Sequence, residues 1–255
     1  MAEATGYSPG FASWMDIGTD IEPAKAFYGR LFGWEALEAG PPEETGGYGF
    51  FTKGGKMVAG FGPKSNPGPP SWLVYFATAD ADATVAKVKE AGGSVITGPM
   101  EVMSAGRMAV LRDPTGAIFS IWQAGNHKGA ELAGEPGSPV WVELDTRDTA
   151  GAAAFYGDVF GWGSQVSEEM AYTQFELGGQ PVAGMMALPP EVPADHPPYW
   201  LVYFGASDVD ATVQAGEAAG AGVLVGPTDI GGGGGRFAVL RDPQGAAFGV
   251  FKGPA

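Results

Sequence analysis

The sequence predicts an α+β fold: four βαβββ modules forming two curved mixed β-sheets with helices on the outside. Two observations predict it. The first is that the chain is written twice. Phe27–Trp34 returns as Phe155–Trp162 with six of eight positions identical, Trp72-Leu73-Val74-Tyr75-Phe76 returns unchanged at Trp200–Phe204, and Arg107–Gly116 returns at Arg236–Gly245 with eight of ten identical. The offsets are 128, 128 and 129 residues, so the whole layout is duplicated rather than one motif. The second is that a strand–helix–three-strand pattern occurs twice inside each half, restarting at the Trp-Leu-Val-Tyr-Phe segment.

The elements follow in order. A strand near Ser13–Thr19 precedes a helix near Pro23–Phe32, with Asp20 as its N-cap and Pro23 in the first turn. Ala24, Phe27, Tyr28 and Leu31 recur at the spacing of one buried helical face, and Gly33 supplies the stop. β-type segments follow near Trp34–Glu38, Tyr48–Lys53 and Lys56–Phe61, the last two joined by Gly54-Gly55. The restart runs from a strand at Trp72–Ala77 through a helix at Ala81–Ala91, capped by Asp80, to strands near Ser94–Thr97, Arg107–Arg112 and Ala117–Trp122. The second half repeats this from Val140 to Phe251, with helices at Thr149–Phe160 and Val209–Ala219. The domain reading is therefore 1–125 for the first unit, 126–139 for a polar, glycine-containing linker and 140–255 for the second.

Composition narrows the function classes. The chain has 255 residues, a net charge of −15 and no cysteine. That charge repels nucleic acid and anionic membranes, so neither is an expected partner. Disulfides and thiolate chemistry are excluded outright. No apolar run reaches the ~18 residues of a membrane span, and Met1–Gly6 has neither the basic region nor the apolar core of a secretory signal. A cytoplasmic protein with a small-molecule partner is expected.

The Phe-Tyr-x-x-Leu-Phe-Gly-Trp helix, the restart at Trp72 and the Asp-Pro-x-Gly turns before the last strand of each half resemble the vicinal oxygen chelate superfamily, which holds glyoxalase I, extradiol dioxygenases and bleomycin-resistance binding proteins. The resemblance spans about residues 10–252. More narrowly the text resembles an actinobacterial two-domain group whose members carry the labels "hydroxylase" or "glyoxalase-like". The resemblance implies tandem glyoxalase-like domains. It also implies that metal-using members place His, Gln or Glu ligands on the first, fourth, fifth and eighth strands of a cup. Here those places fall near Ser13, Gly60, Leu73 and Ser120, and near Val140, Gly184, Leu201 and Gly249. None is a competent ligand, so no metal and no cofactor are expected.

Other residues invite chemistry. Asp16 and Glu143 interrupt otherwise apolar first strands at the same place, Trp14-Met15-Asp16-Ile17 and Trp141-Val142-Glu143-Leu144. A carboxylate in a central strand needs a partner. It is either held structurally, with Arg112 and Arg241 as candidate partners, or it is a base at the cup wall with a raised pKa. Of two histidines, His127 in the linker reads as solvent-facing. His196, whose first-half counterpart is Asn66 or Pro67, is a candidate acid–base group at a cup mouth. Trp14, Trp72, Tyr75, Trp122, Trp141, Trp200 and Tyr203 form a recurring aromatic set suited either to a core or to a flat apolar ligand. Arg107 and Arg236 start strands and either reach a ligand or cap the sheet edge. The Asp113–Gly116 and Asp242–Gly245 turns read as structural, and Gly231–Gly235 as a mobile loop at a cup rim.

The expected function is metal-independent binding of a small, largely apolar aromatic metabolite or antibiotic. The alternative is a metal-free tailoring isomerase, cyclase or hydrolase using Asp16, Glu143 or His196. Two further readings are a metalloenzyme with relocated ligands and a protein with empty cups. Two internally paired halves point to a monomer or weak homodimer.

Overall fold

The computed structural model describes residues 6–64 and 68–254, so Asn66 and Pro67 lie outside the described residues. The first module is β1 (Ala12–Thr19), α1 (Ile21–Phe32), β2 (Glu35–Glu38), β3 (Gly49–Lys53) and β4 (Lys56–Pro63), with a four-residue helix α2 (Pro42–Thr45) after β2. The second is β5 (Ser71–Ala77), α3 (Ala81–Glu90), β6 (Ser94–Val102), β7 (Gly106–Arg112) and β8 (Ile118–Ala124). The third is β9 (Pro139–Thr146), α4 (Thr149–Phe160), β10 (Gly163–Ser167), β11 (Tyr172–Leu177) and β12 (Gln180–Ala187). The fourth is β13 (Tyr199–Gly205), α5 (Val209–Ala218), β14 (Gly222–Ile230), β15 (Gly235–Arg241) and β16 (Ala247–Lys252).

Each half makes one eight-stranded sheet, ordered β2-β3-β4-β1-β5-β8-β7-β6 and β10-β11-β12-β9-β13-β16-β15-β14. The sheets are mixed: β1 runs parallel to β4 and antiparallel to β5, and β5 runs parallel to β8. Helices α1 and α4 end on Gly33 (φ 71°) and Gly161 (φ 75°), left-handed positions that favour glycine. Asp80, Asp148 and Asp208 cap α3, α4 and α5 by accepting from Ala83, Gly151 and Ala211 N–H. Asp20 sits at the start of α1 but makes no cap bond. Its backbone N–H and carbonyl are held instead by the Gln244 amide of the other half. The glycine run opens with a short 3₁₀ turn, Gly231–Gly233, that leads into β15. Among the described residues no helix is long and apolar enough to cross a membrane.

Strand alternation sorts the side chains into two environments. In β5, Trp72, Val74 and Phe76 enter one large core while Leu73 and Tyr75 face the opposite side; in β13, Trp200, Val202 and Phe204 oppose Leu201 and Tyr203. The large core is shared by both halves. Phe27 and Phe32 of α1 meet Phe248 of β16 at 6.0 and 6.1 Å, and Phe76 meets Trp162 and Trp200 at 5.2 and 5.1 Å. Each such ring contributes roughly 1.5–3 kcal/mol by leaving water. The helices are therefore outside the cups but between the halves.

The duplicated motifs meet in this shared core. Trp72 Nε1 donates to the Tyr28 hydroxyl (3.1 Å), which donates to Asp242 Oδ2 of the other half (3.0 Å). Asp242 Oδ1 accepts the backbone N–H groups of Gln244, Gly245 and Ala246. The mirror relay runs from Trp200 Nε1 to Tyr156 and on to Asp113 of the first half, at 2.9 Å each. The Asp-Pro-x-Gly turns are structural, as read from sequence, and they also carry the contact between halves.

Candidate functional site

The opposite, concave face of each sheet holds a carboxylate bound by phenols. In the first cup Tyr75 and Tyr48 donate to Asp16 Oδ2 at 2.8 and 3.1 Å, and Trp14 Nε1 donates to the Tyr48 hydroxyl at 2.9 Å. In the second, Tyr203 donates to Glu143 Oε1 at 2.8 Å, Tyr172 bonds the same carboxylate, and Trp141 Nε1 donates to Tyr172 at 2.9 Å. Register explains the likeness: Asp16 lies opposite Gly60 and Leu73, and Glu143 opposite Gly184 and Leu201. Arg112 and Arg241 are exposed, and neither appears among the partners of Asp16 or Glu143. Phenols, not guanidinium groups, satisfy these carboxylates.

Burial pushes the Asp16 carboxyl up to about 6, against the lowering effect of Tyr75 and Tyr48. Burial likewise raises Glu143 against its two phenols. The second cup holds a further acid. Asp145, two residues along β9, lies opposite Tyr199 of β13 and is 7% exposed. Burial first, and then the Glu143 charge, push it up to about 7, with a hydrogen bond from Tyr199 acting the other way. Its first-half counterpart is Gly18, opposite Ser71, so the cups are chemically unequal.

They are also unequally filled. The linker runs over the first cup, pinned by Gly125 N–H and His127 N–H to the Ala105 carbonyl and by Ala130 N–H to the Ser13 carbonyl. The His127 ring sits 4.4 Å from Trp14 and 5.7 Å from both Phe50 and Trp122, and the Trp122 indole donates to its carbonyl. Both ring nitrogens are buried without a partner among the described residues, and burial lowers the imidazole to about 4, against the raising effect of Glu131. His127 is thus not the solvent-facing residue read from sequence. The linker's backbone bonds fold it inward. In the second cup Trp141, Tyr199, Phe237 and Phe251 stay half-buried.

The remaining sequence candidates fall elsewhere. Trp72 and Trp200 belong to the shared core, because strand alternation turns them away from the cups occupied by Trp14, Tyr75, Trp122, Trp141 and Tyr203. Arg107 and Arg236 share the face of Ala109 and Ala238 and reach back to the helices. Arg107 pairs with Asp82 (2.6 Å) and Glu101 (2.7 Å), and Arg236 with Asp210 and Asp229 (2.7 Å each). His196 is exposed, faces the carbonyl of Pro197, and meets the Tyr199 ring at 5.5 Å. It lines an open cleft between the halves, about 790 Å³ in volume, with Arg112, Thr115 and Arg147.

A divalent ion does not fit the donor set. The first-strand place belongs to Asp16 and Glu143 rather than Ser13 and Val140, so each cup has one carboxylate in position, but Gly60, Leu73 and Ser120 offer no imidazole or acid beside it. A side chain at Gly60 would collide with the Tyr48 hydroxyl and one at Gly184 with that of Tyr172, so phenols take the space a ligand side chain would need. Among the described residues no three His, Asp or Glu side chains gather to hold a metal.

Family comparison agrees with this architecture. A model of the Glyoxalase/Bleomycin resistance protein/Dioxygenase superfamily matches residues 17–121 and 138–250. The chain belongs to that superfamily. Within it, the anthracycline biosynthesis protein DnrV of Streptomyces peucetius is 39% identical, covering 97% of this chain and 95% of the relative. CFP32 of Mycobacterium tuberculosis (strain CDC 1551 / Oshkosh) is 40% identical, covering 99% and 98%. The Mn(II)-bound glyoxalase from Novosphingobium aromaticivorans matches in fold with a TM-score of 0.66 at 15% identity, covering 95% of this chain and 82% of that one. The superfamily fold thus persists here around cups whose polar groups are phenols and carboxylates.

Sequence reading missed Tyr48, Tyr172, Asp145 and Tyr199. A signal for the first pair exists: Tyr-x-x-Phe occurs at Tyr48–Phe51 and again at Tyr172–Phe175. Asp145 and Tyr199 have no repeat partner, and only strand pairing brings them together.

Proposed function

We propose that the chain binds one small, planar, largely apolar aromatic molecule per monomer, without a metal, in the second cup. The observation that carries this is the contrast between the cups: the His127 ring packs against Trp14, Phe50 and Trp122 of the first, whereas the second sets Trp141, Tyr199, Phe237 and Phe251 around a carboxylate–phenol floor with a further acid, Asp145. Aromatic walls with a few convergent polar groups suit a flat ligand. The name of DnrV, an anthracycline biosynthesis protein, supports a fused-ring aromatic as the ligand class. The test is tryptophan fluorescence and calorimetric titration with naphthol and quinizarin. Saturable binding of one molecule per chain is expected; absence of binding by either compound sinks the proposal.

One observation favours a second reading, a metal-free tailoring enzyme. Asp145 titrates near neutrality beside Glu143, where a carboxylate serves as general base and its protonated form as general acid. Turnover of a bound aromatic with a pH-dependent rate, lost in Asp145→Asn, would establish it.

A further inference from the structure

Glu143 and Asp145 lie side by side on β9, but their partners differ. The Glu143 carboxylate receives Tyr203 and Tyr172. Asp145 receives Tyr199, while its Oδ1 has no hydrogen-bond partner among the described residues. The side chain lies on the same strand face as Glu143, between Met186 of β12 and Tyr199 of β13. A buried carboxylate oxygen without a donor is costly, and a hydrogen bond to a charged group is among the stronger ones a ligand can supply. The first cup has no carboxylate at the corresponding place, where Gly18 lies opposite Ser71.

We infer that Asp145 is the specificity-determining residue of the second cup: its Oδ1 accepts a hydrogen bond from a ligand hydroxyl, so the cup selects hydroxylated aromatics over their O-alkylated or unsubstituted counterparts. The inference rests on the proposed binding function and deepens it. Tyr199 holds the carboxylate in place, and the Glu143 charge beside it disfavours a ligand bearing an anionic group there. A ligand ether has no proton to donate and leaves Oδ1 unpaired in the complex, while still burying the same rings.

The experiment compares naphthol with its methyl ether on the full chain by titration calorimetry at about pH 8, where naphthol keeps its proton as an ordinary phenol does. Naphthol is expected to bind about tenfold more tightly than the ether, the ratio that about 1.4 kcal/mol produces. Asp145→Leu, which keeps the branched shape but removes the acceptor, is expected to abolish the preference by weakening naphthol and not the ether. Asp145→Asn, which keeps an acceptor oxygen, is expected to retain most of it, and serves also if the leucine variant does not fold. Equal binding of the two probes to the unaltered chain, or a preference that survives Asp145→Leu, overturns the role of Asp145 and leaves the binding function standing. Binding of neither probe overturns both.

Discussion

The phenol of Tyr28 donates to the carboxylate of Asp242 at 3.0 Å although 214 residues separate them. Tyr156 does the same to Asp113 at 2.9 Å in the reverse direction. Each tyrosine is itself held by a tryptophan of its own half, Trp72 or Trp200. The most strongly repeated words of the sequence thus build two reciprocal clasps between the halves, and one of them, Trp-Leu-Val-Tyr-Phe, also sends Tyr75 and Tyr203 into the cups. This explains why they tolerate so little change between repeats: each clasp needs all three motifs at once.

Removing a clasp should cost stability without touching the cups. Tyr28→Phe leaves Asp242 Oδ2 and the Trp72 indole N–H unpaired in a dry core, a loss of about 1–3 kcal/mol. Tyr156→Phe should cost the same. Asp242→Ala should cost more, because the turn bonds to Gln244, Gly245 and Ala246 go with it. Urea unfolding measures all three. Naphthol affinity of the folded variants should be unchanged.

Stability should depend on pH through two opposing contributions. Asp16 and Asp145 have folded values of about 6 and 7 against an ordinary 3.8, so the folded protein holds protons the unfolded chain has released. Their contribution is fully present below about 4 and is lost as pH rises through 6 to 7. His127, lowered to about 4 from 6.5, acts the other way: its contribution is present above 6.5 and is lost as pH falls towards 4. Each proton is worth at most about 1.4 kcal/mol per pH unit. Asp145→Asn should therefore make the net profile rise more steeply towards neutral pH, and His127→Leu should make it fall. Midpoints of urea unfolding between about pH 4.5 and 8 report the slopes, and an unchanged slope in either variant would show that its group titrates normally.

Opening the first cup should create a second binding site. His127→Ala removes the ring that packs against Trp14, Phe50 and Trp122. Titration with quinizarin is expected to move from one to two molecules per chain, with the new site the weaker because it lacks an Asp145 equivalent. Stability should fall by about 1–3 kcal/mol from the lost packing. A stoichiometry still at one in a folded variant would mean that the cavity collapses.

Gly184→Ala should disrupt the second cup directly. A methyl group there meets the Tyr172 hydroxyl and the Trp141 indole, so Tyr172 must leave Glu143. Naphthol binding should weaken at least tenfold, and stability should drop by about 1–3 kcal/mol for the displaced side chains and the lost hydrogen bond. Arg236→Gln is the contrasting change: its ion pairs with Asp210 and Asp229 lie at the surface, and surface pairs are worth about 0–1 kcal/mol. It should leave binding unaltered.

Local pattern alone determined the four modules, the helices near Pro23–Phe32, Ala81–Ala91, Thr149–Phe160 and Val209–Ala219, and the presence of a carboxylate in each first strand. Those depend on periodicity, caps and repetition, all properties of neighbouring residues. Tertiary structure decided which face each side chain serves. Trp72 and Tyr75 stand three residues apart in one motif, yet alternation and the pairing of β5 send one to the shared core and the other to a cup. It also decided what satisfies Asp16 and Glu143, because their phenols come from β5, β11, β13 and the approach to β3, whose register is set only once the sheets form. His127 shows the same limit. Its hydrophilic linker reads as exposed, and backbone bonds to Ser104, Ala105 and Ser13, contacts no periodicity encodes, fold the ring inward over the first cup.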